Sequence, residues 1–350
     1  MNSNGGRKPL GVGVIGLGMA VTPHARSLRD LSDRVSVKGV FARSRDKREA
    51  VAAEFGFPAV ESVDAIIDDP EIGAVLLLTP PNVRTELVGR LAAAGKHILM
   101  EKPVERTTEA GEAIVAACHK AGVSLGIVFQ HRFRPNSLKL KALLAEGTLG
   151  EIACVRLAVP WWRPQVGYYD QPGRGSLERD GGGLLISQAI HSLDLMLSLT
   201  GPVSEVQAVA GTSLIHQMET EDFVAGGMRF ASGALGSFTG TTAAYPGASE
   251  QLGLDCVNGN VVLEAGELTV NWRDGRTETF TEDSGFGGGS DPMAFPHDWH
   301  MALIADFLDA IEAGRQPTSS GQEGLKVHRL IDAFLASSRE RRAVTVAGTA

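Results

Sequence analysis

Cysteine is scarce in this 350-residue chain, and its placement excludes several classes of protein. The three cysteines, Cys118, Cys154 and Cys256, are odd in number, lie far apart and show no CxxC spacing. This pattern excludes a disulfide-rich scaffold and a cysteine zinc site, and it favours reduced thiols. We expect no bound metal.

The sequence also lacks an excess of basic charge and any long apolar run. Lys and Arg number 33 against 41 Asp and Glu, which gives a net charge of -8. The broad basic surface that binds nucleic acid is therefore missing. No run approaches the roughly 18 apolar residues of a membrane helix, and MNSNGGRKPL lacks the apolar core of a signal peptide. We expect a cytoplasmic protein that binds neither nucleic acid nor a membrane.

The length and the 43% hydrophobic content allow two domains with sizeable cores. Up to about residue 130, short apolar runs alternate with amphipathic stretches. The runs predict strands near 12–15, 37–41, 74–78, 98–100 and 124–128, and the stretches predict helices near 45–55, 82–94 and 108–121. Strict alternation of strand and helix predicts a parallel sheet with helices on both faces.

The pattern changes after Arg134. Helices are predicted at 135–146 and 184–199, a strand at 151–159, several alternating strands between 204 and 280, and two final helices at 299–313 and 322–339. Gly285–Ser290 is predicted to be a loop. The expected fold class is α/β, with a dinucleotide-binding domain over 1–130 and an α/β domain on an open, mostly antiparallel sheet over 131–350. The terminal helix is free to pack back on the first domain.

A glycine-rich turn follows the first predicted strand. The literal GxGxxG match, Gly11, Gly13 and Gly16, starts inside that strand, whereas a phosphate turn must follow it, where helix amides point at the pyrophosphate. We therefore assign the turn to Gly16 and Gly18, continued by Met19 and Ala20, with a helix from Met19 onward. Val21 stands where the pattern usually has a third small residue.

The second predicted strand ends in Phe41-Ala42-Arg43-Ser44-Arg45. An NAD site usually has a carboxylate there for the ribose hydroxyls, and this chain has none. The guanidinium groups of Arg43 and Arg45 and the hydroxyl of Ser44 suit a 2'-phosphate better, so NADP is favoured and NAD is possible. The alternative is that the two arginines form a solvated face.

Two segments, AGKHILMEKP and DGGGLLISQAIHSLDLMLSLTG, resemble the Gfo/Idh/MocA oxidoreductases. With GVIGLGMAVTPHARSL, TPPNVRTEL and DFLDAIEAGRQP, the resemblance covers nearly the whole chain. It implies a Rossmann domain followed by a substrate-binding domain, and a homo-oligomer, dimer or tetramer, formed through the C-terminal sheet. It also implies that Lys102, followed by a usually cis proline, is the central catalytic residue between substrate and nicotinamide. The further cofactor contacts implied are Thr79, Pro81, Asn82, Glu101 and Lys102 itself.

In the second domain the resemblance places the family histidine at His191, as general base or proton relay, although a core histidine is the alternative. Many relatives have an Asp four residues before this histidine, where this chain has Ser187 followed by Gln188. Arg84 stands where the family often has His, so no role is assigned to it. The substrate contacts implied at this stage are Arg132, Ser187, Gln188, His191 and His300.

Aromatic residues precede the triple glycine in PWWRPQVGYYDQPGRG. Aromatic planes beside hydrogen-bonding groups suit a sugar-like ring, and Trp162, Arg163 and Tyr168 are the candidates. Core packing or a subunit interface explains them equally well.

The favoured function is reversible hydride transfer between a nicotinamide cofactor and a secondary alcohol of a sugar, polyol or related cyclic alcohol. The first alternative is an NAD-dependent glycosidase that uses transient oxidation. The second is a non-catalytic, dinucleotide-bound regulator, which the presence of both Lys102 and His191 disfavours.

Overall fold

The computed structural model describes residues 8–282 and 296–348, so the predicted loop Gly285–Ser290 lies outside the described residues. The chain forms two compact units. The first contains residues 8–105, 109–128 and 297–321, and the second contains 106–108, 129–282, 296 and 322–348. The division differs from the single boundary at residue 130, because the segment 297–321 returns to the first unit.

The first unit alternates strands and helices in chain order. Its strands are β1 (Leu10–Ile15), β2 (Val35–Phe41), β3 (Ile72–Leu77), β4 (His97–Met100) and β5 (Leu125–Ile127). Its helices are α1 (Val21–Asp30), α2 (Arg45–Phe55), α3 (Asp64–Ile67), α4 (Arg84–Ala93), α5 (Thr108–Ala121) and α8 (Asp298–Ala313). Helix α8 packs against α1 and β4.

All five strands of this unit are parallel and lie in the order β2-β1-β3-β4-β5. The central strands are buried on both faces, as the neighbouring residues Val75 and Leu76 in β3 and Ile98 and Leu99 in β4 show. Continuous apolar runs of this kind are typical of a covered parallel sheet. Parallel strands place their carboxyl ends at one edge, and the crossover after β1 leaves a crevice there. The segments after β1, β2, β3 and β4 therefore share that edge.

The second unit is built on a nine-stranded sheet. Its strands are β6 (Ile152–Pro160), β7 (Val203–Gly211), β8 (Phe223–Phe230), β9 (Leu235–Thr241), β10 (Gln251–Cys256), β11 (Gly259–Glu264), β12 (Glu267–Trp272), β13 (Thr277–Thr281) and β14 (Val344–Thr345). Their order is β13-β12-β11-β10-β6-β9-β8-β7-β14, with β6 and β9 parallel and the other pairs antiparallel. The helices are α6 (Pro135–Ala145), α7 (Ile190–Thr200) and α9 (Gly321–Glu340). The expected fold class is confirmed.

The structure differs from the predicted elements mainly at their ends. Helix α1 begins at Val21 rather than Met19, and a 3₁₀ turn, Pro81–Val83, precedes α4. A π-helical turn, Leu185–Ala189, precedes α7, so the predicted helix 184–199 has two parts. Strand β14 and helix α3 were not predicted, because two and four residues are too short for a clear period, and the six-residue strand β12 was also not predicted. Within the described ranges, no helix is long and apolar enough to cross a membrane.

Candidate active site

The turn between β1 and α1 has the geometry of a dinucleotide loop. Gly16 has φ +101°, and a Cβ there would lie 2.7 Å from the Leu78 carbonyl carbon, whereas a Cβ on Gly18 would meet nothing within 4 Å. Helix α1 has no side-chain cap at Ala20 and no acidic residue in its first turn. The amide groups at the start of α1 therefore have no side-chain cap, and a helix end of this kind suits a bound pyrophosphate.

The glycines of the rejected register serve packing instead. A Cβ on Gly11 would lie 1.8 Å from the Glu71 carbonyl oxygen, and one on Gly13 would lie 2.5 Å from Ile66 Cγ2. Gly11 allows close approach of the chain that enters β3, and Gly13 allows α3 to pack closely on the sheet.

After β2 the three predicted phosphate contacts have different surroundings. Ser44 caps α2, because its hydroxyl accepts from Lys47 N at 3.3 Å. Arg45 is exposed and donates to Glu49 at 2.6 Å, while Arg43 is exposed. Sequence reasoning missed Arg48, which is buried and donates to the Ala42 carbonyl at 2.8 Å. In the sequence, this contact could have been indicated by the position of Arg48 on the buried face of α2.

Lys102 follows β4, and the Lys102–Pro103 peptide is cis. The preceding Glu101 carboxylate accepts from the Lys102 amide at 3.2 Å and from His24 Nε2 at 2.9 Å. Burial opposes the charge of Glu101, but the hydrogen bond and charge of His24 outweigh it, and the pKa falls to about 2. Glu101 is therefore an anion that holds the lysine's own backbone.

His300 lies in the first unit, 2% exposed, and its ring meets that of His24 edge-on at 4.8 Å. Burial, reinforced by the charge of His24, lowers the pKa of His300 to about 3. The imidazole is thus neutral at physiological pH, and its placement favours a supporting role beneath Glu101. A substrate contact at His300 stays a prediction.

His24, Glu101 and His300 also offer three potential ligand atoms within 4.8 Å of one another, in the part of the chain that the structure describes. The hydrogen bond between His24 and Glu101 and the ring contact between the two histidines account for this arrangement.

In the second unit, the His191 ring stacks on His131 at 4.9 Å and meets the edge of Phe129 at 6.2 Å. One turn further along α7, Asp194 is fully buried and binds Arg132 through two bonds of 2.7 Å. Arg132 also donates to Glu323 at 3.1 Å. The guanidinium thus anchors α7, and its predicted contact with substrate stays a prediction.

The triple glycine before α7 has a backbone reason. Gly181 and Gly182 have φ +82° and +157°, and a Cβ on Gly183 would lie 2.0 Å from the Glu221 carbonyl oxygen. The Glu221 carboxylate accepts from the amides of Gly183 and Leu185. The glycines therefore allow the chain to pass close to Glu221 as it enters the helix.

The aromatic segment and the start of the helix come together. Gln188 Nε2 donates to the Tyr168 hydroxyl at 2.9 Å, and the Arg163 guanidinium lies 5.8 Å from the Tyr168 ring centroid. The Ser187 hydroxyl donates back to the Gly183 carbonyl at 2.5 Å. The structure therefore groups Arg163, Tyr168 and Gln188, while Ser187 is engaged by its own helix.

Sequence reasoning missed the pair below this group. His216 Nδ1 lies 2.7 Å from Asp222 Oδ2, and its Nε2 lies 2.8 Å from the Arg163 carbonyl oxygen. The Trp162 ring lies 5.9 Å from the His216 ring. His216 and Asp222 are six residues apart, but the Arg163 carbonyl is 53 residues from His216, so no local pattern could have indicated the whole arrangement.

Comparison with known proteins identifies both parts of the chain. The model of an oxidoreductase family with an NAD-binding Rossmann fold matches residues 10–129, and that of the GFO/IDH/MocA C-terminal domain matches residues 137–262. Myo-inositol 2-dehydrogenase of Thermotoga maritima is 27% identical over 348 residues, which cover 95% of this chain and 97% of that protein. A scyllo-inositol 2-dehydrogenase (NADP(+)) of Bacillus subtilis is 24% identical over 356 residues, with 95% of each chain covered.

A solved structure agrees over the same span. Levoglucosan dehydrogenase, in complex with NADH and levoglucosan, is similar with a TM-score of 0.87 and 26% identity, covering 97% of this chain and 100% of that one. The chain therefore belongs to the Gfo/Idh/MocA family and is an oxidoreductase with an NAD-binding Rossmann fold.

Proposed function

We propose that this enzyme transfers a hydride between a nicotinamide cofactor and a secondary alcohol of a sugar, polyol or related cyclic alcohol. One observation carries the proposal. The carboxyl ends of β1, β3 and β4 bring the Gly16–Gly18 turn, the Thr79–Asn82 segment and Lys102 to the same edge of the parallel sheet. This edge is where open α/β sheets bind nucleotides.

Lys102 is proposed as the residue that hydrogen-bonds the reacting oxygen and stabilises its charge. When bound, the nicotinamide supplies the hydride acceptor or donor. Oxidation of an alcohol also releases the hydroxyl proton, and His191 is the proposed general base or relay for it. The stacking of His191 on His131 supports this role, because a fixed ring presents its nitrogens in one orientation.

The substrate class rests on the group formed by Arg163, Tyr168 and Gln188, with Trp162 nearby. An aromatic face with hydroxyl and amide groups beside it suits a polyhydroxylated ring. Relatives named for inositol and levoglucosan act on molecules of this kind. Ser187 is proposed as a further substrate contact.

For the cofactor, we propose NADP, with NAD as the second possibility. Arg43 is the main support, since it is exposed at the end of β2 where no carboxylate stands. One relative has NADP(+) in its name and another has NADH bound in its structure, so the relatives do not decide between the two cofactors. The proposal therefore depends on the residues at the end of β2. Met19, Ala20, Pro81 and Asn82 are proposed contacts common to both cofactors.

We also propose a homo-oligomer, a dimer or tetramer, that assembles through the sheet of the second unit. Exposed apolar side chains on three neighbouring strands, Val209 in β7, Phe223 in β8 and Leu235 in β9, support an interface there. A cytoplasmic location is part of the proposal, because all three cysteines are free thiols and Cys154 is exposed.

A spectrophotometric screen tests the function. The purified protein is mixed with NADP⁺ or NAD⁺ and a panel of inositols, sugars, sugar acids and anhydrosugars, and reduced nicotinamide is read by absorbance. We expect turnover of at least one polyhydroxylated ring, faster with NADP⁺. Release of an aglycone from glycosides without net reduction would indicate the glycosidase alternative. Cofactor binding without turnover of any compound would indicate the regulator.

A further inference from the structure

Arg84, the first residue of α4, is a buried arginine that is hydrogen-bonded to the backbone on both sides of Lys102. It is 1% exposed and extends its guanidinium to backbone carbonyls rather than to a carboxylate. Nη1 donates to the Glu101 carbonyl at 2.5 Å and also to the Pro103 carbonyl. Nε and Nη2 donate to the Thr79 carbonyl at 3.1 and 2.5 Å. One guanidinium therefore binds the residues on both sides of Lys102 and the start of the Thr79–Asn82 segment.

The charge of Arg84 persists despite burial. Desolvation lowers the pKa of Arg84 to about 10, while the carboxylates of Glu101 and Glu105 act in the opposite direction. At neutral pH the group is therefore cationic, and its bonds to carbonyls are charge-assisted. Such bonds are stronger than those between neutral groups, and the planar fork fixes their directions.

We propose that Arg84 is a positioning residue for Lys102. Its bonds to Glu101 and Pro103 fix the backbone that carries the lysine, and its bonds to Thr79 tie that backbone to the segment proposed to hold the cofactor. The Glu101 side chain holds the Lys102 amide from the other side. This proposal rests on the proposed function, because it gives Arg84 a role through a catalytic Lys102.

Lys96 provides a matched control, because it lies at the opposite end of β4 from Lys102. It is 6% exposed, precedes β4, and donates through Nζ to the carbonyls of Asp69 and Ile72 at 2.7 and 2.8 Å. Like Arg84, it is a buried cation that binds main-chain carbonyls of the first unit. Its partners lie at the amino-terminal edge of the sheet, so a general loss of packing in the unit should appear equally in variants of either residue.

The experiment compares Arg84→Met, Arg84→Lys and Lys96→Met in the full-length protein. Hydrogen–deuterium exchange is measured on peptides covering Glu101–Glu105 and needs no substrate. Turnover is measured with myo-inositol and with the best substrate of the screen, and cofactor affinity by protein fluorescence with NADPH and NADH. Thermal melting shows which variants are folded.

For Arg84→Met we expect amide exchange in Glu101–Glu105 to rise at least about 10-fold and kcat to fall roughly 10- to 100-fold, since small misplacements of a reacting group cost that much. The dissociation constant of the cofactor should change less than kcat, because many contacts share it. Lys96→Met should leave loop exchange and kcat near wild type even if its melting temperature falls. In a Lys102→Met background, Arg84→Met should cause no further loss of turnover.

A folded Arg84→Met variant with wild-type loop exchange or wild-type kcat would overturn the positioning role, as would losses that simply add to those of Lys102→Met. If Arg84→Met does not fold, Arg84→Lys carries the same test, because a single ammonium keeps the charge but cannot reach all three carbonyls. Wild-type turnover of Lys102→Met alone would remove the lysine from the mechanism, and the role of Arg84 with it, but would leave the proposed hydride transfer standing. Absence of turnover in the wild-type protein with every compound of the screen would overturn the proposed function. An inactive Lys102→Met beside a fully active Arg84→Met would overturn only the role of Arg84.

Discussion

The two residues proposed for catalysis are each held by a buried arginine, but through different chemistry. In the first unit, Arg84 binds main-chain carbonyls around Lys102. In the second, Arg132 binds the Asp194 carboxylate one turn from His191. The first arrangement fixes the path of a loop, and the second fixes a helix in its unit. Loss of Arg84 leaves neutral carbonyls unbonded, whereas loss of Arg132 leaves the fully buried Asp194 carboxyl without its ionic partner, so the second should cost more stability.

The largest expected effect is on turnover through Lys102 itself. Lys102→Met should lower kcat by about 10²- to 10⁴-fold, the range for loss of acid-base assistance, while cofactor binding and the melting temperature stay close to wild type. Steady-state kinetics and fluorescence titration measure the two quantities. Turnover close to wild type would remove the lysine from the mechanism.

His191→Ala tests the other half of the comparison. We expect a fall in kcat of about 10²-fold or more and the loss of one limb of the pH–rate profile, because a base that titrates has been removed. If both limbs of the pH–rate profile persist in His191→Ala and only the melting temperature falls, His191 is a packing residue against His131 and Phe129.

The difference between the two arginines is sharpest in unfolding experiments. Arg132→Met should lower the free energy of unfolding by about 3 to 5 kcal/mol, because Asp194 remains buried without its partner. The double variant Arg132→Met/Asp194→Leu should recover much of that loss. The exposed pair Arg156 and Asp255 is the control, and Arg156→Met should cost about 1 kcal/mol or less. Equal costs for Arg132→Met and Arg156→Met in urea unfolding would contradict the structural distinction.

The sequence was informative where chemistry is local and silent where it depends on distant partners. Alternation predicted both sheets. Gly16 and Gly18 were predicted as a phosphate turn because the turn follows a strand, and Lys102 was predicted because AGKHILMEKP resembles the family segment. Arg84 was given no role because it stands where the family often has His, and its partners at 79, 101 and 103 meet it only in the folded sheet. His300 was expected at substrate from the family resemblance, and its neighbours in sequence do not show that its ring packs against that of His24. Arg132 and Asp194, 62 residues apart, could not be paired from periodicity alone.

The histidine cluster under Lys102 predicts a pH-dependent stability. The pKa of His300 in the folded protein lies near 3, below its ordinary 6.5, so folding favours the neutral ring. Its contribution is complete above pH 6.5 and is lost as the pH falls towards 3, with a slope approaching about 1.4 kcal/mol per pH unit. Glu101, with its pKa lowered to about 2, adds a loss in the same direction below about pH 4.5.

His300→Gln should therefore flatten the dependence of the unfolding free energy on pH between 6.5 and 4.5. The exposed His119→Gln on α5 is the matched control and should keep the wild-type slope. Urea unfolding at pH 4.5, 5.5, 6.5 and 7.5 measures both. An unchanged slope in His300→Gln would mean that the ring is not held neutral by its burial against His24.

The smallest expected effect concerns cofactor choice at the end of β2. The sequence predicts the same role for Arg43 and Arg45, but their surroundings in the structure differ. Arg45 is already bonded to Glu49, whereas Arg43 is exposed beside Ala42. Arg43→Ala removes a phosphate partner, and Ala42→Asp adds a carboxylate that repels a 2'-phosphate and accepts from a ribose diol. Because one charge-assisted hydrogen bond contributes about 1.5 to 3 kcal/mol, each change should shift the preference roughly 10-fold or more towards NAD. Arg45→Ala should shift it less. Fluorescence titration of wild type and the three variants with NADPH and NADH measures this preference. If the wild type binds NADH more tightly than NADPH, both arginines are solvated surface residues. If Arg45→Ala shifts the preference as much as Arg43→Ala, the ion pair between Arg45 and Glu49 opens to bind the phosphate.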